Sequence, residues 1–258
     1  MVDTTHERLI LDQFTRQATP FSTAAAINDP GALQMLVDAA ATGADDVVLD
    51  VACGGGIVVC AFAPHVRHVT GIDLTPAMLE RGRALAKERG LDNVSWQHGD
   101  VSRLPWPDGA FSSVATRFSF HHFVDPAGTL VEMARVCRPG GRVVVADMYA
   151  SDDPAKAAAW NRLETLRDPS HVRCLTLSEL VALFPAAGLP EPRASFYELR
   201  GEVENLLARS FPNPGDEATI RGMFAATVED DRLGIEVRRE SDALRYAYPV
   251  AILAARRA

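Results

Sequence analysis

Short, nearly continuous apolar runs alternate along the first 150 residues with segments whose apolar positions recur every three or four residues. The runs are Val47 to Val51, Val66 to Ile72, Asn93 to Gln97, Phe111 to Thr116 and Arg142 to Asp147. Runs of this kind suit parallel strands covered on both faces. Between them, Leu33, Leu36, Val37 and Ala40 mark a helix over 30–41, and Ile57 to Ala63 makes a short helix that Pro64 stops. Thr75-Pro76 and Asp125-Pro126 each pair a capping side chain with proline at the first helical position, and Gly43, Gly90 and Pro139-Gly140-Gly141 close helical stretches. Strands alternating with helices at this rhythm predict an α/β fold, a doubly wound parallel sheet with right-handed crossovers.

The two ends are less regular. Residues 1–30 predict one or two helices from His6 to about Gln17, then an irregular piece around Thr19-Pro20-Phe21-Ser22. This leader either packs on the sheet or closes over a site through Phe14, Arg16 and Phe21. Asp153-Pro154 opens a helix to about Arg167, and Thr176-Leu177-Ser178-Glu179 is a capping box for a helix ending near Gly188. Residues 191–199 and 250–255 are the candidates for late strands. The stretch 201–239 between them holds one or two helices and is expected to cap a pocket, with Phe211, Met223 and Phe224 lining it or forming the cap's own core. A single domain over 1–258 is expected, with its core at 45–150 and the cap within 151–258.

The chemistry is concentrated where strands end. Val47-Val48-Leu49-Asp50-Val51-Ala52-Cys53-Gly54-Gly55-Gly56 is an apolar strand running into a glycine loop, and loops of this kind bring backbone close to a ligand at a helix N-terminus. Asp50, Asp73 and Asp100 follow three consecutive strands at their carboxyl ends, where open α/β sheets bind ligands. An acid about twenty residues past a glycine loop is placed to accept both hydroxyls of a ribose, and one a strand further out to meet the exocyclic amine of adenine. A dinucleotide fingerprint needs a third glycine where Val59 stands. A cofactor with ribose and adenine but no pyrophosphate fits better, and S-adenosylmethionine has that constitution.

Composition narrows the partners. The chain of 258 residues carries a formal net charge of −8 and no long Lys/Arg cluster, which disfavours nucleic acid and favours a small-molecule substrate. No apolar stretch is long enough to span a bilayer, and residues 1–11 lack an apolar signal core, so a cytoplasmic protein without membrane insertion is expected. Cys53, Cys60, Cys137 and Cys174 lack metal-ligand spacing; reduced thiols and no metal site are expected. A homodimer is left open.

Five segments together resemble the class I S-adenosylmethionine-dependent methyltransferases, and within them the small-molecule branch that includes the ubiquinone/menaquinone biosynthesis C-methyltransferases. They are Val48-Leu49-Asp50 through Gly56, Gly71-Ile72-Asp73-Leu74-Thr75-Pro76-Ala77-Met78, Gly99-Asp100 with Leu104-Pro105-Trp106-Pro107-Asp108, Phe120-His121-His122-Phe123-Val124-Asp125-Pro126, and Arg135-Val136-Cys137-Arg138-Pro139-Gly140-Gly141. Arg167-Asp168-Pro169-Ser170-His171-Val172-Arg173 is similar to a segment of bacterial members whose substrates are unassigned. The resemblance implies a Rossmann-like methyltransferase fold with a seven-stranded, mostly parallel sheet. It implies S-adenosyl-L-methionine as cofactor and S-adenosyl-L-homocysteine as product. Asp50, Ala52, Gly54 and Gly56 would line the methionine end, with Ala52 standing where many members carry a glycine. Asp73 would hold the ribose, while Leu74, Met78, Gly99, Asp100 and Val101 would surround adenine. Arg117, after the fourth strand, would meet the cofactor or an anionic substrate.

Methyl transfer to a small-molecule carbon or oxygen by in-line displacement is the expected reaction, and a base is needed only if the acceptor must lose a proton. His121, His122, His171 and Asp147 are the candidates, and only one of the adjacent pair His121 and His122 can face a pocket if the segment is extended. Two other readings stay open: a cofactor-binding protein of the same fold with a non-methylating activity, and a nicotinamide-dependent oxidoreductase, which Val59 disfavours.

Overall fold

The computed structural model describes residues 4–258. Helix α1 (Thr4–Thr23) precedes α2 (Pro30–Ala40), whose N-terminus is capped by the Asp29 carboxylate accepting from the Ala32 N–H. Strands β1 (Val47–Val51), β2 (His68–Asp73), β3 (Val94–His98), β4 (Phe111–Arg117) and β5 (Cys137–Met148) then alternate with α3 (Ile57–Phe62), α4 (Pro76–Glu88) and α5 (Pro126–Val136). After α6 (Pro154–Arg167) and α7 (Leu177–Ala186) come β6 (Arg193–Glu202), α8 (Val203–Leu207), α9 (Asp216–Ala226), β7 (Arg238–Glu240) and β8 (Ala243–Arg256).

The sheet runs in the order β3-β2-β1-β4-β5-β8-β6, and β7 pairs with β8. The five early strands are parallel; β8 is antiparallel to both β5 and β6. The sheet thus has eight strands rather than the seven expected, because three residues before the last turn fold back on β8. Alternating side chains supply two cores: Val144 and Ala146 of β5 join one, Val143 and Val145 the other, as the two-residue period of a strand demands. Both faces being covered explains the unbroken apolar runs.

Three expectations are corrected. The leader is one continuous helix through Pro20, not a helix followed by an irregular piece. Proline is tolerated there because it lies in the last turn, where only a single ladder bond is lost. The 201–239 stretch does not cap the candidate site: Phe224 is fully buried in the core beside Tyr246, and none of its residues lines the cavity described below. Thr75 precedes α4 without a side-chain cap bond: its own N–H donates to Asp73, and the Met78 N–H donates to the Thr75 carbonyl.

The glycine loop owes its shape to packing. A Cβ on Gly56 would meet the Trp96 ring at 2.4 Å, and one on Gly82 of α4 would meet it at 2.5 Å, so the indole wedges α3 and α4 together. Val59 stands where a dinucleotide fingerprint has glycine, and the close approach is met from the strand side: a Cβ on Gly71 would lie 2.9 Å from Val59 Cγ2. Ala52 has φ of 54°, the left-handed region that disfavours a side chain by about 1–2 kcal/mol. Ala52→Gly is therefore expected to stabilise the protein by about 1 kcal/mol or less, the relief being partly offset by glycine's extra chain entropy. Denaturant unfolding checks this, and a loss of stability would show that the Ala52 methyl is held by favourable contacts.

Candidate active site

At the carboxyl ends of β1, β2 and β4 lies a cavity of about 470 Å³. One part of its wall is Ala52, Gly54, Asp73, Leu74, Met78, Asp100, Val101 and Arg117, all singled out from sequence. The other part is more apolar and comes from Ile27, Phe118, Phe123 and the inner side of α1, which contributes His6, Glu7, Ile10, Phe14 and Phe21. His122 belongs to this wall. Asp50, Gly56, Gly99, His121, His171 and Asp147 do not: Gly99 is half-exposed after β3, and the others are buried behind the wall or beneath it.

Asp73 fastens the floor. One carboxylate oxygen accepts the Gly54 N–H and the other the Thr75 N–H, both at 2.8 Å. Burial raises its pKa above the ordinary carboxylate value, against the opposing pull of those two N–H groups. A carboxylate has about four acceptor sites, so two remain for a ligand's hydroxyls. Asp50 is 1% exposed and its Oδ2 has no hydrogen-bond partner. Burial first, and then the charge of Asp73, push its pKa well up. Arg117 is 8% exposed, donates to the Ile27 carbonyl at 2.8 Å and to the Tyr197 hydroxyl at 3.3 Å, and has no carboxylate partner among the described residues. Arg117 lines the cavity without a carboxylate in ion-pair contact among the described residues, so a ligand's carboxylate would satisfy it; Asp50 lies behind the wall, where the Arg117 charge opposes part of the rise in its pKa.

The histidines separate by environment. Phe120–His122 is a 3₁₀ turn, not an extended segment, so the two adjacent rings leave it in different directions. His121 Nδ1 lies 2.6 Å from Asp147 Oδ1, and its backbone N–H also reaches Asp147. Burial disfavours its charge, but the Asp147 carboxylate outweighs burial and holds the pKa above the ordinary histidine value. His122 is different: burial, and then the neighbouring His121, bring it down to about 4, against the Asp168 charge. His171 sits on Asn161, its Nε2 2.9 Å from Asn161 Oδ1, and burial also lowers its pKa. His122 is thus a neutral imidazole on the cavity wall at neutral pH, while His121, Asp147 and His171 form the packed layer behind it.

The N-terminal helix closes the chamber. Phe14 stands edge-on to the His122 ring with centroids 5.0 Å apart, and His6 Nε2 lies 2.9 Å from the His122 carbonyl. Ser22 accepts from Arg81 Nε at 3.0 Å, pinning the far end of α1 to α4. Arg16 instead pairs with Asp12 and lies over the Phe211 ring, away from the wall. Sequence reasoning missed Ile10 and Phe118 on the wall and Tyr197 behind Arg117: α1 brings the first, the end of β4 the second and β6 the third.

Residues 49–145 match the family model described as a methyltransferase domain. The chain is 40% identical over 154 residues to the uncharacterized methyltransferase YcgJ of Bacillus subtilis, an alignment covering 60% of this chain and 61% of that relative. The solved structure of YcgJ has a TM-score of 0.82 at 29% identity, covering 88% of this chain and 98% of the other. A putative methyltransferase of Bacillus halodurans C-125, BH2331, gives 0.81 at 27% identity with the same coverage. The ubiquinone/menaquinone biosynthesis C-methyltransferase UbiE of Bdellovibrio bacteriovorus is 38% identical over 120 residues, 46% of this chain and 51% of that one. The chain therefore spans about half to three-fifths of these curated relatives.

The raised pKa of His121 fixes a sign. A histidine held above its ordinary value of about 6.5 contributes stability that is present below that value and lost as pH rises through the folded-state value. Asp147→Asn is expected to lower the melting temperature more at a pH of about 6 than at about 9. Equal losses at the two pH values would show that the bond to His121 does not depend on charge.

Proposed function

Through residues 49–145 the chain belongs to the class I S-adenosylmethionine-dependent methyltransferases, and from that premise we propose that it methylates a small-molecule acceptor at carbon or oxygen, in the cytosol. The observation that carries the reading is the single cavity that joins the Asp73, Leu74, Asp100 and Val101 wall to an apolar chamber with a neutral histidine on its side. Among the described residues no helix is long and apolar enough to cross a membrane.

When bound, S-adenosylmethionine supplies a methyl group on a positively charged sulfur, open to in-line displacement. The residues present fit it. Asp73 offers two spare acceptor sites to a ribose diol, and Leu74, Met78 and Val101 give apolar contact for a flat base with the Asp100 carboxylate at its edge. Gly54 keeps side-chain atoms away from the methionine end, where Arg117 takes the carboxylate, while Asp50 backs the loop from behind the wall. Helix α1 excludes water and orients the acceptor between Ile10, Phe14, Phe118 and Phe123; alignment alone can supply several kcal/mol. His122 removes the proton of an acidic acceptor O–H or C–H, being unprotonated over the neutral range.

Calorimetric titration with S-adenosylmethionine and with NADH separates this reading from nicotinamide chemistry: tight NADH binding without a response to S-adenosylmethionine overturns it. Asp73→Ala is expected to weaken S-adenosylmethionine binding by more than about tenfold, since a charge-assisted bidentate contact is lost. Transfer of a radiolabelled methyl group into a small-molecule metabolite extract tests the reaction itself; labelling of protein or nucleic acid alone overturns the acceptor class. With an acceptor in hand, His122→Ala is expected to lower kcat by about 10²–10⁴. Wild-type kcat/KM should stay flat over neutral pH and fall only as pH drops towards about 4, where His122 gains its proton.

A further inference from the structure

The segment Arg167 to Arg173 takes no direct part in the chemistry just described, yet its side chains and backbone are bonded to α1 and to the turn that carries His121 and His122. Asp168 is 1% exposed. Its Oδ1 accepts the Ser170 N–H at 2.9 Å and the Ser170 hydroxyl at 2.6 Å. Its Oδ2 accepts Gln17 Nε2 from α1 at 3.0 Å, a contact that is also buried. Gln17 is itself steadied by Gln13, whose Nε2 donates to the Phe211 carbonyl at 3.0 Å.

The polarity of this chain dictates the state of the next member. His122 Nδ1 lies 3.0 Å from the Ser170 carbonyl oxygen and 3.3 Å from the Ser170 hydroxyl oxygen. A carbonyl oxygen only accepts, so Nδ1 must carry the proton. The hydroxyl cannot compete for the opposite arrangement, because its own hydrogen is committed to the Asp168 carboxylate and only its lone pairs face the ring. In a neutral imidazole a protonated Nδ1 leaves Nε2, across the ring, as the acceptor. Among the described residues the hydrogen bonds of the His122 ring are all at Nδ1, and His122 lines the cavity. The backbone supports the same placement: the Val172 and Arg173 N–H groups both donate to the His121 carbonyl, at 2.9 and 3.1 Å, tying the loop to the turn that carries the histidines.

We propose that Asp168 and Ser170, completed by Gln17 of α1, are positioning residues that hold His122 in its Nδ1–H tautomer, so that seating α1 over the cavity and presenting Nε2 as proton acceptor are one event. Helix α1 touches the histidine at two places, Phe14 on the ring and His6 on the carbonyl, and reaches the Asp168 carboxylate behind it through Gln17. Without Gln17, Asp168 Oδ2 would lie buried without a donor, and the carboxylate would be free to swing from Ser170. The inference rests on reading His122 as the group that takes the acceptor's proton, but the tautomer can be read with no acceptor present.

The test is a long-range proton–nitrogen correlation spectrum of the full chain labelled with nitrogen-15 in histidine, near neutral pH. Wild-type His122 is expected to show a protonated Nδ1 and a bare Nε2. In Asp168→Asn and in Gln17→Ala the Nε2–H tautomer should gain by about tenfold in ratio, the scale of one hydrogen bond to a charged group. Ser170→Ala keeps the carbonyl and should keep the wild-type tautomer. A wild-type His122 protonated at Nε2, or a ratio unmoved in Gln17→Ala, overturns the proposal. Gln17→Ala removes no charge and decides the matter alone if Asp168→Asn does not fold. Failure to find methyl transfer would sink the proposed function and leave these spectra as they are.

Discussion

The site depends first on the two hydrogen bonds that Asp73 accepts from backbone. The Gly54 and Thr75 N–H groups belong to different βα turns, and one buried carboxylate joins them. Without it, the glycine loop after β1 would have only the Cys53 N–H bond to the Ile72 carbonyl to hold it against β2. The charge is costly to bury, as its raised pKa records, and the two N–H groups offset only part of that cost. A site that keeps an acid partly unsatisfied at the edge of a cavity is arranged for a ligand that completes it.

Around that floor the protein sets two kinds of wall. The sheet side is rigid: Trp96 is wedged between Gly56 and Gly82, and Val59 is seated against Gly71. The α1 side is attached by side chains, through Ser22 to Arg81 at one end and Gln17 to Asp168 nearer the middle. The rigid wall carries the residues suited to the cofactor, and the attached wall the residues that would meet the acceptor. This division suits a common reaction run on differing acceptors, since α1 can vary without disturbing the sheet.

Burial and one carboxylate sort three histidines of one cluster into two states. The rings of His121 and His122 have centroids 4.3 Å apart, and His171 lies 5.7 Å from His121. Only His121 has a carboxylate in direct contact, so only it is held above the ordinary value; the other two are driven down by burial and by their charged neighbour. A neutral ring beside a charge-stabilised one is how a base can stay available in an enclosed apolar site.

Read alone, the sequence determined the layered fold and the cofactor wall, because both follow from local signals. Apolar runs of five or six residues, proline after a capping residue and glycine at a turn act within a few positions of themselves, and the acids at strand ends stand at fixed distances from the glycine loop. The five parallel strands and the placement of Asp73 and Asp100 on one cavity were legible that way, whereas Leu74, Val101 and the seven-stranded sheet path followed from the resemblance. Only the tertiary structure decided which segment covers the site and which histidine faces it. Residues 201–239 read as a cap, but their apolar face is spent on Tyr246 and the core, while α1 closes the cavity. His121 and His122 are neighbours with the same chemistry, and what separates them is Asp147, 26 residues from His121, and Ser170, 48 residues from His122. No period or spacing in the chain carries contacts of that range; they exist only once the sheet has brought the ends of β4 and β5 side by side and the loop after α6 has packed across them.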